Sequence, residues 1–541
     1  MKASDLFVKI LEKNGVETIY GVPGEENLDL LDSIGKSNIE LILTRNEQTA
    51  VFMAANYGRY TGKAGVALAT LGPGATNMMT GVAYAQLGGM PVILITGQKP
   101  QNRSKQGKFQ IIDVVSMMRP VTKASASIVS GARIPYMLEN AFQMAEEEKP
   151  GAVCLELPED IAAEEVAEEF ACIDLNTAKK RRPIPDEKAI QSIITELEQA
   201  KHPMILVGAG ANRKLISKYL TEFITQHNIP FFNSQMGKGV VDERLDQCLG
   251  TAALTSGDTI HEAIAKADLI VSVGYDVVEK PTDVLGFHGT KVIDINFYST
   301  DHDYMYSPYL DIIGDIGNVF WQLCESDIDD SGWDFEEVYA INRNNKQKML
   351  DAAKDEQDFS YMMPRKLCSD LRATLGEKDI LALDNGLYKV WIARNYPAYY
   401  PNTVLLDNAL ATMGAGYATA MEAKRLNPDR NVVCVTGDGG LVMNLGDLET
   451  IVRLGIDMVL VVLNNSSYGM IKWKQTGGGF DTYGLDFGNP DFIQLAESFG
   501  ARGFRVEDKN DFQPTLEKAM GMKGLTLIDL RFEYPEDGEV Y

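Results

Sequence analysis

One recurring pattern constrains the fold of this chain more than any other. Short apolar runs end in glycine-rich or polar turns, and an amphipathic stretch follows each run. Strands of a parallel sheet are buried on both faces and are joined by helices, so this pattern predicts parallel β-sheets in α/β domains. In the first part of the chain the runs are Thr18–Tyr20, Leu41–Leu43, Val66–Thr70, Val92–Thr96 and Val153–Leu157.

The same pattern returns in two later parts of the 541-residue chain. It therefore predicts an α/β protein with three doubly wound parallel-sheet domains, 1–170, 189–325 and 360–541, each using one architecture. The polar segment Cys172–Lys188 and the charged, partly helical segment Ser326–Asp358 are predicted linkers. The later runs are Met204–Val207, Leu269–Val273, Lys291–Ile295, Ile380–Asp384, Asn431–Thr436, Met458–Asn464 and Leu525–Asp529.

Charge and composition exclude several classes of function. The chain has 51 Lys and Arg against 76 Asp and Glu, a formal charge of −25, which argues against nucleic-acid or anionic-membrane partners. It has no apolar run long enough to span a membrane and no signal-peptide core at its start, which predicts a cytoplasmic protein. The six cysteines lie far apart without a CxxC pair, which predicts free thiols.

Two loops near the C-terminus carry the strongest chemical signal. Gly437-Asp438-Gly439-Gly440 follows a predicted strand and precedes a helix predicted from Leu441 to Leu454. Glycines let a diphosphate approach the backbone, but the carboxylate of Asp438 would repel it unless a cation lay between them. Asn465, 27 positions later (465 − 438), follows the next strand, and a backbone carbonyl near Ser467 adds a third oxygen ligand. Each loop alone is an ordinary turn, whereas together they predict a diphosphate bound through Mg²⁺.

This loop pair resembles the cofactor-binding motif of the thiamine-diphosphate (ThDP) enzymes. Further segments resemble the acetolactate synthases within that family, and together they span nearly the whole chain. The resemblance implies a pyrimidine-binding, a central and a diphosphate-binding domain, in that order. The pyrimidine-side segments are Ile19–Asp32, Thr44–Ala50, Leu71–Asn77, Ile95–Gln98, Gly107–Gln110 and Leu155–Ile161, and the diphosphate-side segments are Asp384–Arg394, Ala411–Ala420 and Tyr468–Gln475.

The resemblance also implies roles for individual residues. Glu47 corresponds to the glutamate that hydrogen-bonds the aminopyrimidine and promotes loss of the thiazolium C2 proton; otherwise it is an exposed glutamate at a helix start. Met413 corresponds to the apolar side chain beneath the bent cofactor; otherwise it is a core residue. The implied cofactor contacts are Gly24, Glu47, Pro73, Asn77, Gly386, Leu387, Tyr388, Met413, Gly437, Asp438, Gly439, Gly440, Asn465, Tyr468, Gly469 and Met470, with Asp438, Asn465 and Ser467 around the metal.

Gly24, Phe109, Gln110 and Lys123 correspond to positions near the substrate. Gln110 is the second candidate catalytic residue, because it can donate to a carboxylate or a developing alkoxide, and its alternative is a surface glutamine. All five histidines lie between residues 202 and 302. Simple decarboxylases of this family commonly place histidines over the thiazolium, so their absence from the outer domains favours carboligation. The expected reaction joins two pyruvates into 2-acetolactate and CO₂. A 2-oxo acid decarboxylase, oxidase or acyl transferase, or a non-catalytic ThDP binder, remains an alternative.

Three positions depart from the family pattern. Asn46 and Tyr388 replace common histidines, and Lys474 stands where enzymes that accept 2-oxobutyrate carry tryptophan, unless residues 472–474 form only a solvated helix face. The segment Val207–Arg213 lacks the third glycine of a dinucleotide fingerprint. A flavin-free protein is therefore favoured, with FAD as the alternative. The resemblance further implies a homodimer or homotetramer, and leaves a small regulatory subunit open.

Overall fold

The computed structural model describes residues 1–101, 107–172, 182–254, 256–280, 285, 289–302, 306–355 and 362–534, with backbone only for 172 and 349–355. In this part of the chain, eighteen strands form three six-stranded sheets. Every pairing between neighbouring strands is parallel. Among the described helices, none is both long and apolar enough to cross a bilayer.

The first sheet lies in the N-terminal third of the chain. Its strands are β1 (Thr18–Val22), β2 (Glu40–Leu43), β3 (Gly65–Ala69), β4 (Val92–Gln98), β5 (Ala124–Ser127) and β6 (Ala152–Pro158), and its helices are α1 (Ala3–Lys13), α2 (Leu28–Gly35), α3 (Glu47–Thr61), α4 (Pro73–Asn77), α5 (Met79–Leu87), α6 (Val114–Met118), α7 (Ile134–Glu146) and α8 (Glu159–Ala162). The strand order is β2-β1-β3-β4-β6-β5. All residues of β3 and β6 are buried, because both faces of the sheet are covered.

The second sheet occupies the middle of the chain. Its strands are β7 (Pro203–Val207), β8 (Phe231–Ser234), β9 (Cys248–Ala252), β10 (Leu269–Val273), β11 (Lys291–Asn296) and β12 (Leu310–Ile313), and its helices are α9 (Glu187–Gln199), α10 (Lys214–His227), α11 (His261–Ile264), α12 (Ile316–Cys324) and α13 (Glu336–Asp355). The order is β12-β11-β10-β7-β8-β9. Alternate residues of β7 enter two separate apolar clusters, one on each face.

The third sheet lies in the C-terminal third. Its strands are β13 (Ile380–Leu383), β14 (Val404–Leu405), β15 (Val432–Gly437), β16 (Met458–Asn464), β17 (Arg502–Val506) and β18 (Leu525–Arg531), and its helices are α14 (Pro364–Thr374), α15 (Leu387–Asn395), α16 (Gly416–Leu426), α17 (Asp438–Met443), α18 (Leu448–Arg453), α19 (Gly469–Gly477), α20 (Phe492–Ser498) and α21 (Phe512–Met520). The order is β14-β13-β15-β16-β18-β17.

The chain divides into two compact units that do not follow the three sheets. The first unit contains residues 1–180, 410–428 and 442–456, and the second contains 181–409, 429–441 and 457–541. Within the first unit, α16 packs against α3, and Asn56 Nδ2 donates to Thr419 Oγ1 over 3.0 Å. Two segments from the C-terminal third therefore belong to the same compact unit as the N-terminal sheet.

Three parallel-sheet domains are confirmed, but two details of the prediction are wrong. The central sheet has a different strand order from the outer two, so one architecture is not used three times. The helix expected from Leu441 to Leu454 breaks at Asn444, since its backbone leaves helical geometry there and a 3₁₀ turn follows. Six strands were not predicted, because short or half-exposed runs such as Ala124–Ser127 lack a continuous apolar signal. The described cysteines Cys154, Cys248, Cys324, Cys368 and Cys434 are free, as predicted.

Candidate active site

Asp438 lies at the carboxyl end of β15, where α17 begins, and is only 2% exposed. Its Oδ1 accepts a hydrogen bond from Gly439 N over 2.8 Å. Its Oδ2 accepts from Asn465 N (3.1 Å), Ser466 N (2.6 Å) and Asn489 Nδ2 (2.8 Å). The structure therefore brings the two predicted loops together, because β15 and β16 are parallel neighbours and end at the same edge of the sheet.

The groups around Asp438 fit a magnesium ion. In the described part of the chain, the Asn465 carboxamide makes no hydrogen bond, and the buried oxygens Ser467 Oγ and Asn489 Oδ1 have no partner. The backbone carbonyl of Ser467 accepts only Gly469 N, over 3.0 Å. No cluster of three His, Cys, Asp or Glu is found among the described residues. A carboxylate, an amide and a carbonyl are hard oxygen ligands, which suit Mg²⁺ rather than zinc.

The glycines beside Asp438 keep the backbone accessible. A Cβ on Gly440 would lie 2.1 Å from Asp384 Oδ2, so no larger residue fits there. Gly437 N donates to Tyr388 Oη over 3.0 Å, and Tyr388 N donates to Tyr534 Oη over 3.1 Å. Burial raises the pKa of Tyr388 well above its usual value, so its hydroxyl stays neutral and accepts this bond. Tyr388 thus positions the glycine loop through its hydroxyl group. The histidine that is common at this position in the family did not suggest this role.

The other predicted diphosphate-side residues surround the same strand ends. Helix α15 begins at Leu387 with Gly386 as its N-cap residue, and a Cβ on Gly386 would lie 2.4 Å from the Tyr388 ring. The centroid of the Tyr468 ring lies 4.9 Å from that of Phe487, with the two rings tilted by 54°, and Gly469 begins α19. Met470 packs against the apolar core of this domain.

Helix α19 buries none of its residues, and Lys474 Nζ lies 4.5 Å above the Trp473 ring. Lys472 and Lys474 are exposed, whereas Trp473 is partly buried against the apolar core of this domain.

Glu47 is the first residue of α3 and is 8% exposed. Its Oε2 accepts Asn77 Nδ2 over 2.9 Å, and a Cβ on Gly74 would lie 3.3 Å from Oε1. Helix α4 (Pro73–Asn77) therefore packs directly on the carboxyl group. Asn46, which replaces the family's histidine, caps the helix by accepting Gln48 N over 2.8 Å. The asparagine at position 46 thus has a structural role as a helix cap. The alternative interpretation of Glu47 as an exposed glutamate is wrong, because the residue is buried.

Three predicted substrate-side residues lie at this same edge of the N-terminal sheet. Gly24 follows β1, and a Cβ there would lie 2.4 Å from Thr70. The backbone of Gln110 lies beside Gly72, with a left-handed φ of 58°. Gln110 and Phe109 are both exposed, and Phe109 retains 60% of its surface. The structure therefore brings these residues to the edge that carries Glu47.

Lys123 is not brought to that edge. Its Nζ donates to the carbonyls of Glu147 (2.7 Å) and Lys149 (2.8 Å). Lys123 directly precedes β5, and its backbone pairs with Ala152 at the start of β6. Because all strands of the sheet are parallel, it lies at the opposite edge from Glu47, and the assignment of Lys123 to the substrate is corrected on this geometry.

A buried ion pair near Gly24 was missed by the sequence analysis. Lys99 Nζ bonds Glu26 Oε1, and Thr70 Oγ1 donates to Glu26 Oε2 over 2.5 Å. Burial alone would raise the pKa of Glu26, but the bonds from Lys99 and Thr70 outweigh burial and lower that pKa. Glu26 and Lys99 follow β1 and β4, which are not adjacent in the sheet, so only the fold could show that they pair.

Met413 is half-buried just before α16, between Ala411 and Gly414, whose φ values are 55° and 84°. Helix α16 is held to the N-terminal sheet by Tyr20 Oη, which donates to Glu422 over 2.7 Å. Met413 therefore belongs to the same compact unit as Glu47. The left-handed φ of Ala411 is unfavourable for a residue with a Cβ, which shows that the backbone before Met413 is constrained.

The central sheet places a carboxylate where a nucleotide phosphate would be expected. Ala209 N, just after β7, donates to both oxygens of Glu279 (3.0 and 3.1 Å), and Ser234 Oγ donates to Glu279 over 2.5 Å. Burial raises the pKa of Glu279 to about 7. A Cβ on Gly208 would lie 2.4 Å from Tyr275 Cα, so the segment Val207–Arg213 is a tight turn. A phosphate at Ala209 would have to displace this carboxyl group.

Comparisons with known proteins agree with this geometry. The chain matches family models described as the N-terminal TPP binding domain, the central domain and the C-terminal TPP binding domain of thiamine pyrophosphate enzymes, over residues 1–117, 190–323 and 384–530. Thiamine pyrophosphate is ThDP. A buried carboxylate–amide loop pair and a buried glutamate, each at the carboxyl edge of a parallel sheet, define the class as a ThDP-dependent enzyme. The chain belongs to the thiamine pyrophosphate enzyme family.

Its relatives within this family are similar over nearly the whole chain. Acetolactate synthase of Bacillus subtilis is 30% identical over 99% of this chain and 94% of its own length. The catabolic acetolactate synthase of Raoultella terrigena is 29% identical over 99% and 95% of the two chains. The acetolactate synthase large subunit of Haemophilus influenzae is 31% identical, again over 99% and 95%.

Proposed function

We propose that this enzyme is an acetolactate synthase, which converts two molecules of pyruvate into 2-acetolactate and CO₂. The observation that carries the proposal is end-to-end similarity, over 99% of the chain, to enzymes of that name. The retained Glu47 and Asp438 sites support catalysis rather than simple cofactor binding, because each preserves a buried, hydrogen-bonded carboxyl group.

The diphosphate side of the site would hold Mg²⁺ and the cofactor. Asp438, Asn465 and the carbonyl of Ser467 would ligate the metal, and the glycines around Asp438 would let the diphosphate approach the backbone. When bound, ThDP supplies an electron sink for the pair released by decarboxylation. The protein residues supply position and charge.

On the pyrimidine side, Glu47 would hold a proton on its carboxyl group for exchange with the cofactor. Asn77 donates to Oε2 and so fixes the orientation of the carboxyl group, which leaves Oε1 for the ligand. Gly24, Phe109 and Gln110 lie at the same sheet edge, where Gln110 would donate to a substrate oxygen. Met413 would contact the cofactor, as the resemblance implies.

The distribution of histidines favours carboligation over simple decarboxylation. All five histidines lie between residues 202 and 302, outside both cofactor-binding domains. No imidazole from those domains can then protonate the two-carbon fragment, which remains able to attack a second carbonyl. The second pyruvate is the proposed acceptor.

Two further features are part of the same proposal. The Glu279 carboxyl group occupies the backbone donor at the central crevice, which supports a flavin-free enzyme. In the resembled enzymes two subunits enclose each cofactor, and we therefore propose a homodimer or homotetramer, located in the cytoplasm.

The product formed from pyruvate tests the proposal. Purified protein with ThDP and Mg²⁺ should form a compound that yields acetoin after acidification, and metal chelation should abolish its formation. Acetaldehyde or acetyl phosphate as the main product would instead identify a decarboxylase or an oxidase. No consumption of pyruvate would contradict any such activity, and flavin absorbance in the visible spectrum would contradict the flavin-free proposal.

A further inference from the structure

Asn489 lies in the loop before α20, outside every motif that the sequence analysis used. Its Nδ2 lies 2.8 Å from Asp438 Oδ2, 3.0 Å from Asn464 Oδ1 and 3.2 Å from Ser466 Oγ. It is the one side chain, among the described residues, that donates to the Asp438 carboxylate. The other three donors are backbone amides.

The orientation of Asn489 is fixed by a chain of polar contacts that begins at Asp529. Asn464 Nδ2 lies 2.9 Å from Asp529 Oδ1, and an ionised carboxylate can only accept, so the Asn464 NH₂ group must face Asp529. Arg505 Nε donates to the other oxygen, Asp529 Oδ2, over 3.2 Å, so both Asp529 oxygens act as acceptors. Asn464 Oδ1 must then face Asn489, whose NH₂ group consequently faces Asp438. The contacts thus settle both amide orientations.

This chain makes the two oxygens of Asp438 unequal. Oδ2 accepts three hydrogen bonds, whereas Oδ1 accepts one, from the adjacent Gly439 N. Three hydrogen bonds occupy the lone pairs of Oδ2, so Oδ2 has little capacity left to bind a cation. Oδ1 is therefore the better metal ligand. Without Asn489, Oδ2 would lose its side-chain donor and the carboxylate could rotate between the two arrangements.

We propose that Asn489 is a positioning residue that locks the Asp438 carboxylate with Oδ1 as its metal-binding oxygen, and so sets the affinity for the divalent cation. This inference rests on the proposed metal site at Asp438. Partners that orient a metal ligand typically change metal affinity by about 10- to 100-fold when removed.

The test is a direct titration with Mn²⁺, followed by electron paramagnetic resonance, in the presence of ThDP. Asn489→Ala should weaken Mn²⁺ binding by about 10- to 100-fold, while the unfolding midpoint of the metal-free protein stays near that of the wild type. Turnover of Asn489→Ala should recover at saturating Mg²⁺, since the residue positions the metal and does not react. Asn510→Ala, an exposed asparagine in the same domain, is the matched control.

A second pair of variants separates this inference from the metal site itself. Asn464→Ala removes the group that orients Asn489 and should weaken Mn²⁺ binding by a smaller factor. Asp438→Asn should abolish binding. If Asn489→Ala binds Mn²⁺ with wild-type affinity while Asp438→Asn loses binding, the proposed role of Asn489 is contradicted and the metal site is not. Wild-type affinity in Asp438→Asn would overturn the metal site, and with it the proposed function of this loop pair.

Discussion

The two outer sheets share one strand order, and the central sheet has another. Numbered within each domain, the outer sheets run 2-1-3-4-6-5, whereas the central sheet runs 3-2-1-4-5-6 when read from β9, which is the order of dinucleotide-binding folds. In the central sheet, the backbone donor just after the first strand, Ala209 N, is bonded to the Glu279 carboxyl group. The outer domains carry the candidate cofactor residues.

The outer domains differ from each other in the number of hydrogen bonds that their buried carboxyl groups accept. Asp438 accepts four hydrogen bonds, three of them from backbone amides, which suits a permanent anion beside a cation. Glu47 accepts one, from Asn77, among the described contacts. Among the described contacts, one topology therefore presents a carboxylate with four hydrogen bonds in one domain and a carboxyl group with one hydrogen bond in the other. The following variants separate these roles.

The largest expected effect belongs to Glu47. Glu47→Gln keeps the shape and the contact with Asn77 but removes the exchangeable carboxyl proton, so turnover should fall by about 100-fold or more. Affinity for ThDP and Mg²⁺, measured by calorimetry, should change little. Glu25→Gln, an exposed glutamate nearby, is the control. Near-normal turnover in Glu47→Gln would show that the Glu47 carboxyl group does not exchange a proton during catalysis, which contradicts the role that distinguishes it from Asp438.

A smaller effect is expected at Tyr388. Tyr388→Phe deprives the Gly437 amide of its acceptor, and an unsatisfied buried donor costs about 1–3 kcal/mol. ThDP affinity should therefore fall roughly tenfold, with little change in turnover at saturating cofactor. Tyr483→Phe, at a tyrosine that is 86% exposed, is the control. Unchanged affinity would show that Tyr388 does not position the glycine loop.

The smallest effect concerns the central domain and depends on pH. Burial raises the pKa of Glu279 from 4.5 to about 7, so between these values the folded chain holds a proton that the unfolded chain has lost. Stability should therefore fall as pH rises through this window. In Glu279→Gln this part of the pH dependence should disappear from thermal unfolding midpoints between pH 5 and 8, whereas Glu262→Gln, an exposed control, should behave as wild type. If the unfolding midpoint changes with pH equally in Glu279→Gln and in the wild type, the Glu279 carboxyl group is not buried as described.

The fold was predictable where strands are long and buried, as in Leu269–Val273, whose observed bounds equal the predicted ones. Short edge strands such as Val404–Leu405 were missed because their stability comes from neighbours rather than from local sequence. The different central strand order was also unreadable, since apolar runs show where strands lie but not which strands pair.

The metal loop pair was predictable because its residues follow consecutive neighbouring strands. Asn489 and the Glu26–Lys99 pair were not, because their contacts join segments that are distant in sequence. Lys123 was misplaced for the same reason, since the resemblance could not show at which edge of the sheet it lies. Tyr388 was noticed as a departure, but its bond to Gly437 became visible only with the fold.

We propose that Asp438 holds a cation on which cofactor binding depends. Calorimetric titration of ThDP into the Asp438→Asn variant, with and without Mg²⁺, tests it most directly, and Asp486→Asn at an exposed neighbouring carboxylate is the control. Mg²⁺ should strengthen ThDP binding in the wild type and in Asp486→Asn but should have no effect in Asp438→Asn. Mg²⁺-dependent ThDP binding of wild-type strength in Asp438→Asn would contradict it.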